Sequence, residues 1–333
     1  MRRAENAVIS LLVLLCGVSG PAQDGAHAPG HLPREQVFFS ALTSEEKPRL
    51  ELAAGDFTLR VNGRKASIEG FRPGLPNSDR SRPVVAWILL DSIPGVDSRL
   101  IADQADAAAR LFDLLEPSSS VGVQIISDRV EILAPLRHDP DALRKAFLRF
   151  SGSRKELKAS SRSDTLYVGS DGIMGAIDLA ITDLNNLALS EPSVKDKQVM
   201  RAVIIVSPAN LNPEYNMRRL VDKAIRHSVF LYPVLVPVPV FGPWVQYYFD
   251  LAKHTCGVPA AFGALSPGYR ISKVQRPTLG PNALNFNFIH VVRDLNGKYS
   301  FAAPAVPPGG KIELELTCLK KDVRIRLQRR QLP

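Results

Sequence analysis

Residues 87–95 read WILLDSIPG. An apolar run from Val84 to Leu90 ends on a carboxylate, Asp91, then a hydroxyl, Ser92, then a Pro-Gly turn. Ligands of open α/β sheets sit beyond the carboxyl ends of the strands. An acidic side chain at that point can hold a hard cation through oxygen or a polar group of a partner; its simpler role is to cap the turn that follows. Little else in the chain points to catalysis. His138, His227, His254 and His290 are isolated, with no His-x-x-x-His pair among them. Neither a Gly-x-Ser-x-Gly elbow nor a phosphate-binding loop is present. Asp128 beside Arg129 reads as a turn with a surface pair. Trp244, Tyr247, Tyr248 and Phe249 form the one dense aromatic group; they could stack on a sugar or a partner, or form a helix face packed on a sheet.

The elements around Asp91 alternate. Val84–Leu90 reads as a strand buried on both faces. A helix is expected over 98–115, then two strands, 121–126 and 130–136, joined as a hairpin at Ser127-Asp128-Arg129. Asp139 caps a helix over 140–150. Further helices are expected over 172–187, from about 213 to 226 and over 244–253. Strands are expected over 201–206 and 229–236. This order implies a doubly wound, mostly parallel, Rossmann-like α/β sheet. The proline-rich stretch 233–243 suits an edge or surface loop. Before the α/β region, Asn62-Gly63 between two alternating segments, 57–61 and 66–71, marks a hairpin. After it, the tail from residue 286 reads as β-structure, with 311–319 and 323–327 as a second hairpin-like pair. The domain plan is therefore a signal peptide (1–22), a flexible lead-in (23–35), an N-terminal β segment (36–72), an α/β domain (82–263), a loop (264–285) and a C-terminal β segment (286–333). The two β segments are expected to pair into one small accessory sheet.

The start of the chain, two arginines in MRRAEN followed by the apolar run AVISLLVLLCGVSG and small residues, has the order of a cleaved secretory signal. The run is shorter than the ~20 residues of a membrane span. Cleavage near residue 22 removes two arginines and one glutamate, lowering the formal net charge of +9 by one. The chain is then expected to be secreted or periplasmic, and its basic balance suits anionic surfaces. Nucleic acid is a poor fit, because no aromatics interleave the basic residues near the C-terminus. Export leaves two cysteines, Cys256 and Cys318, either as a disulfide or as two buried thiols.

Several stretches together resemble a von Willebrand factor A (VWFA) domain, and more narrowly the secreted bacterial VWFA-related family of the acidobacterial type. They are LELAAGDFTLRVNGRKASIEGF, VVAWILLDSIPG, SDGIMGAIDLA, RAVIIVSPAN, VFLYPVLV and the tail YSFAAPAVPPGGKIELELTCLKKDVRIRLQRR. The likeness runs over about residues 40 to 330. It implies a metal-ion-dependent adhesion site built from Asp-x-Ser-x-Ser, a Thr on a second loop and an Asp on a third. Asp91 matches the first Asp. Ile93 and Gly95 stand at the two Ser positions, Asp171 at the Thr, and Ser207-Pro208 where Ser-Asp would be. The metal set thus reduces to Asp91, Asp171 and Ser207, a degenerate site, and no cofactor is expected. Asp91 and Asp171 also suit the capping of a turn and a helix. The expectation is a non-enzymatic binding or adhesion protein. It would contact an unidentified extracytoplasmic protein or envelope polymer through Asp91, Ser92, Asp171, Ser207 and Asn210. The alternatives are a weakly held Mg²⁺ or Ca²⁺ at Asp91 and Asp171, and a hydrolase using those two carboxylates.

Overall fold

Four neighbouring strands in this chain are apolar on both faces, which only a sheet covered on both sides can satisfy. A computed structural model describes residues 36–44, 48–75, 82–91, 105–126, 129–152, 165–167, 172–190, 199–207, 217–235, 245–258, 260–261, 283–305, 310–328 and 331–332. The strands of the main sheet are β4 (Val84–Asp91), β5 (Ser120–Ile126), β6 (Arg129–Arg137), β7 (Thr165–Tyr167), β8 (Met200–Ser207), β9 (Val229–Leu235) and β10 (Ala260–Ala261). They lie in the order β10-β9-β8-β4-β5-β6-β7. β10, β9, β8, β4 and β5 run parallel, while β6 pairs antiparallel with β5 and β7 antiparallel with β6 at one side. The chain builds outward from β4 through β5 and β6, then crosses back to lay β8, β9 and β10 on the other side. The reversal falls between β4 and β8, as in a doubly wound fold.

Residue parity along β4 divides the core. Val84, Ala86, Ile88 and Leu90 face one layer of helices: α1 (Ala105–Ala109), α2 (Leu111–Leu114), α3 (Pro140–Gly152) and α7 (Ala283–Asn296). Val85, Trp87 and Leu89 face the other: α4 (Gly172–Ser190), α5 (Met217–Arg226) and α6 (Val245–His254). Gly122 on β5 is required here, because a Cβ there would come within 2.3 Å of the Trp87 ring.

The remaining strands are β1 (Gln36–Leu42), β2 (Phe57–Val61), β3 (Arg64–Ala66), β11 (Tyr299–Ala302), β12 (Ile312–Cys318), β13 (Arg324–Leu327) and β14 (Gln331–Leu332). β2 and β3 form the expected hairpin, with Asn62 and Gly63 at φ 49° and 76°, the positive pair of a type I′ turn. Its second arm is residues 64–66 rather than 66–71. The other sequence expectations for these segments are corrected. The N- and C-terminal segments make two sheets, β11-β1-β13 and β14-β12-β2-β3, around a shared third core. β12 and β13 are not a hairpin: β12 pairs with β2, and β13 pairs with β1. Each offers apolar residues to the third core from a different side, and the long-range partners supply the hydrogen bonds. Residues 286–296 are helical, not β. Phe288, Val291, Val292 and Leu295 are spaced i, i+3, i+4, i+7 and pack into the same core as β4. Residues outside 82–263 therefore complete the core of the α/β sheet.

The join is charged. β1 places Phe38 against Phe230 of the main sheet, ring centroids 5.5 Å apart, and Phe39 in the third core. Beside Phe38, the Lys298 ammonium is fully buried and uses all three donors, to Asp294, to Ser40 Oγ and to the Cys256 carbonyl. Tyr232 donates to the same Asp294 oxygen at 2.7 Å. Burial, then the Asp294 charge, holds the Tyr232 phenol well above its ordinary range. Arg82 bonds the Lys298 and Pro73 carbonyls. Cys256 and Cys318 are free thiols, and Cys256 donates to the Arg326 carbonyl at 2.9 Å.

Leaving one member of a buried pair alone typically costs about 3–5 kcal/mol. Lys298→Met is expected to lower the unfolding free energy by about that much in urea titrations. Adding Asp294→Leu to Lys298→Met should restore part of the loss, because the stranded carboxylate is removed with it.

Candidate functional site

The topological reversal brings the carboxyl ends of β4 and β8 together, and both strands end on polar residues of the same face. Asp91 closes β4 and Ser207 closes β8. Ser207 Oγ donates to Asp91 Oδ2 at 2.6 Å and lies 2.9 Å from Tyr248 Oη. The carboxylate only accepts and the Ser207 proton is directed at it, so the Tyr248 hydroxyl donates to Ser207. The result is a Tyr248 → Ser207 → Asp91 chain across three elements. Ser207 and Tyr248 are fully buried, and Asp91 is 4% exposed.

Of the residues picked out in the sequence, Asp91 and Ser207 meet. Ser92, Asp171 and Asn210 lie outside the described residues, as do Ile93, Gly95 and Trp244. Tyr248 was not among the candidate site residues. Its signal was present, since it falls three residues before Leu251 and four before Ala252, on the inward face of α6. Of the aromatic group, Tyr248 packs on the sheet while Tyr247 is 40% exposed. His138 has a structural role, with Nδ1 3.1 Å from the Ser119 carbonyl and its ring against Phe112.

The arrangement at Asp91 holds a carboxylate acceptor in place. The Ser207 hydroxyl bonds one carboxylate oxygen and is itself held by the Tyr248 hydroxyl, and both hydroxyls are fully buried. Burial, and then the Asp91 charge, raises the Tyr248 phenol far above its ordinary range, so it acts as a donor and not as a base. Among the described residues, no group of three or more His, Cys, Asp and Glu side chains is placed to hold a metal ion.

No family model matches the sequence, and no curated protein matches it. Solved structures with similarity include BatB, a conserved hypothetical protein of Bacteroides thetaiotaomicron (16% identity, 64% of this chain and 99% of that one, TM-score 0.39). An aerotolerance-related membrane protein of Bacteroides fragilis is 13% identical over 63% of this chain and 98% of that one, with a TM-score of 0.40. The manganese-loaded TRAP protein of Plasmodium vivax is 12% identical over 74% of this chain and 93% of that one, with a TM-score of 0.39. At these values the likeness carries no functional weight, and the fold rests on strand order and direction.

A raised phenol makes stability fall in alkali. Below about pH 10 both the folded and unfolded chains keep the proton. Above it the unfolded chain releases the proton first, so stability declines as pH rises toward the folded value. Tyr248→Phe is expected to flatten this decline by up to ~1.4 kcal/mol per pH unit, read from urea unfolding between about pH 9 and pH 12. An unchanged alkaline slope would mean that Tyr248 is not held as a buried donor.

Proposed function

We propose that this chain is an exported, non-enzymatic binding protein whose residues 82–263 form a VWFA-type domain with a degenerate metal-ion-dependent adhesion site. The observation that carries the reading is the Asp91 carboxylate, buried at the switch point with Oδ2 bonded to Ser207 and Tyr248 behind it. At the switch point of an open α/β sheet this is where a ligand binds. The same position is held by the one Asp that this sequence keeps from the family's Asp-x-Ser-x-Ser motif, with Ile93 and Gly95 in place of the hydroxyl ligands. Membership of the acidobacterial-type VWFA-related family, secreted or periplasmic location, and contact with an extracytoplasmic protein or envelope polymer belong to the same proposal. Among the described residues, no helix is long and apolar enough to cross a membrane.

The missing hydroxyls change what the site selects. A bound divalent ion draws an acidic group from the partner into its open coordination position. Without an ion, a carboxylate at this edge repels that group and draws a hydrogen-bond donor or a cation. The edge around Asp91 therefore favours a partner offering lysine, arginine or amide groups.

The test is a pair of measurements on the chain without its first 22 residues. Calorimetric titration with Mg²⁺, Mn²⁺ and Ca²⁺ should show no saturable uptake. Capture from the native envelope or secreted fraction should persist in chelator and weaken at least tenfold in Asp91→Asn. Saturable metal binding that disappears in Asp91→Ala would overturn the metal-free reading in favour of a weak divalent site. Turnover of a glycan that depends on both Asp91 and Asp171 would overturn the non-enzymatic one.

A further inference from the structure

The face of the main sheet that carries Asp91 also carries buried polar atoms that no protein group satisfies. Gln124 on β5 is fully buried, and neither its Oε1 nor its Nε2 has a hydrogen-bond partner. The indole Nε1 of Trp87 on neighbouring β4 is in the same condition. Register places them close along the sheet, since Trp87 pairs with Gly122 and Leu89 with Gln124. Both lie on the layer covered by α4, two and four residues below Asp91 in register.

The ladder is irregular at this point. Val123 pairs with Ala134 on β6 and Gln124 with Ile132, so Leu133 has no opposite number in the register. A bulge of this kind leaves an extra residue unpaired and bends its strand. A carboxamide buried beside a bulge, with an indole N–H on the next strand, offers acceptors and donors together. Unsatisfied buried amides are rare in native proteins, and internal water commonly satisfies them.

We propose that the bulged segment of β5 and β6, beneath α4, is an internal water-binding site. Gln124 is its principal ligand, offering both an acceptor and a donor, and the Trp87 N–H donates to a water of the same cluster. The ligand is water rather than a larger molecule because the surroundings are closed and apolar. Leu89 flanks Gln124 on one side and Ile132 on the other, and Ile177, Ala180 and Ile181 of α4 cover the same layer. The inference does not depend on the functional reading of Asp91.

Two measurements decide it. Water relaxation dispersion on the intact chain should report long-lived internal waters, with at least one fewer in Gln124→Leu. A high-resolution crystal structure of the unaltered protein should place ordered water within hydrogen-bond distance of the Gln124 amide. An equal count in both proteins, or a crystal structure with a dry amide, overturns the proposal. So does a Gln124→Leu variant whose folding equilibrium constant rises more than tenfold in urea titrations, because that gain is expected only from removing an unsolvated amide. Should Gln124→Leu fail to fold, the crystal structure of the unaltered chain still decides.

Discussion

The architecture depends on burying one ammonium group. Lys298 sits where α7 ends, β11 begins, β1 passes and the turn after α6 closes. Its three protons go to Asp294, Ser40 and the Cys256 carbonyl. Without Asp294 the lysine would be an uncompensated charge in a low-dielectric interior, and without Ser40 or the Cys256 carbonyl it would carry an unbonded N–H. The interaction therefore tolerates only one relative placement of the N-terminal strand, the last helix and the main sheet. Apolar contacts such as Phe38 on Phe230 can slide, but a three-donor ammonium cannot. Such a group adds little net stability compared with a well-packed apolar equivalent. What it supplies is registration, here between segments some 258 residues apart in sequence.

The doubly wound sheet was legible because its signals are local. Val84–Leu90, Arg201–Val206 and Val229–Val236 are runs too apolar for any but a covered sheet, and the helices between them show a 3.6-residue period. The hairpin at Asn62-Gly63 was legible because both residues accept positive φ. The errors lie where partners are distant. Nothing inside 311–327 says that its two alternating strands belong to different sheets, since each is satisfied by a strand more than 250 residues earlier. Helix α7 was misread for another reason. Its apolar spacing is helical, but it lies between a proline- and glycine-rich stretch and a β-rich tail, and the tail's pattern was extended over it.

At the candidate site, strand ends could be read and lateral partners could not. Asp91 stood out as a carboxylate closing an apolar run, and Ser207 could be placed only through the family resemblance. That Ser207 would turn its hydroxyl to Asp91, with Tyr248 behind it, depends on how α6 crosses the sheet. No spacing within residues 84–91 or 200–207 encodes that crossing. The buried lysine and the orphaned Gln124 were invisible for the same reason, since a polar residue in a sequence carries no mark of whether it will face solvent.

The two polar systems lie on opposite faces of the sheet. Tyr232 points with Phe230 and Val234 toward the layer of α7, where Lys298 and Asp294 join the accessory strands. Asp91, Ser207 and Tyr248 lie on the layer of α4, α5 and α6. The accessory strands therefore join the sheet on one face and contribute nothing to the Asp91–Ser207–Tyr248 chain. Change at the candidate site is correspondingly free of the constraint that fixes the fold. Residues at the β4–β8 edge can therefore change without disturbing the Lys298 network.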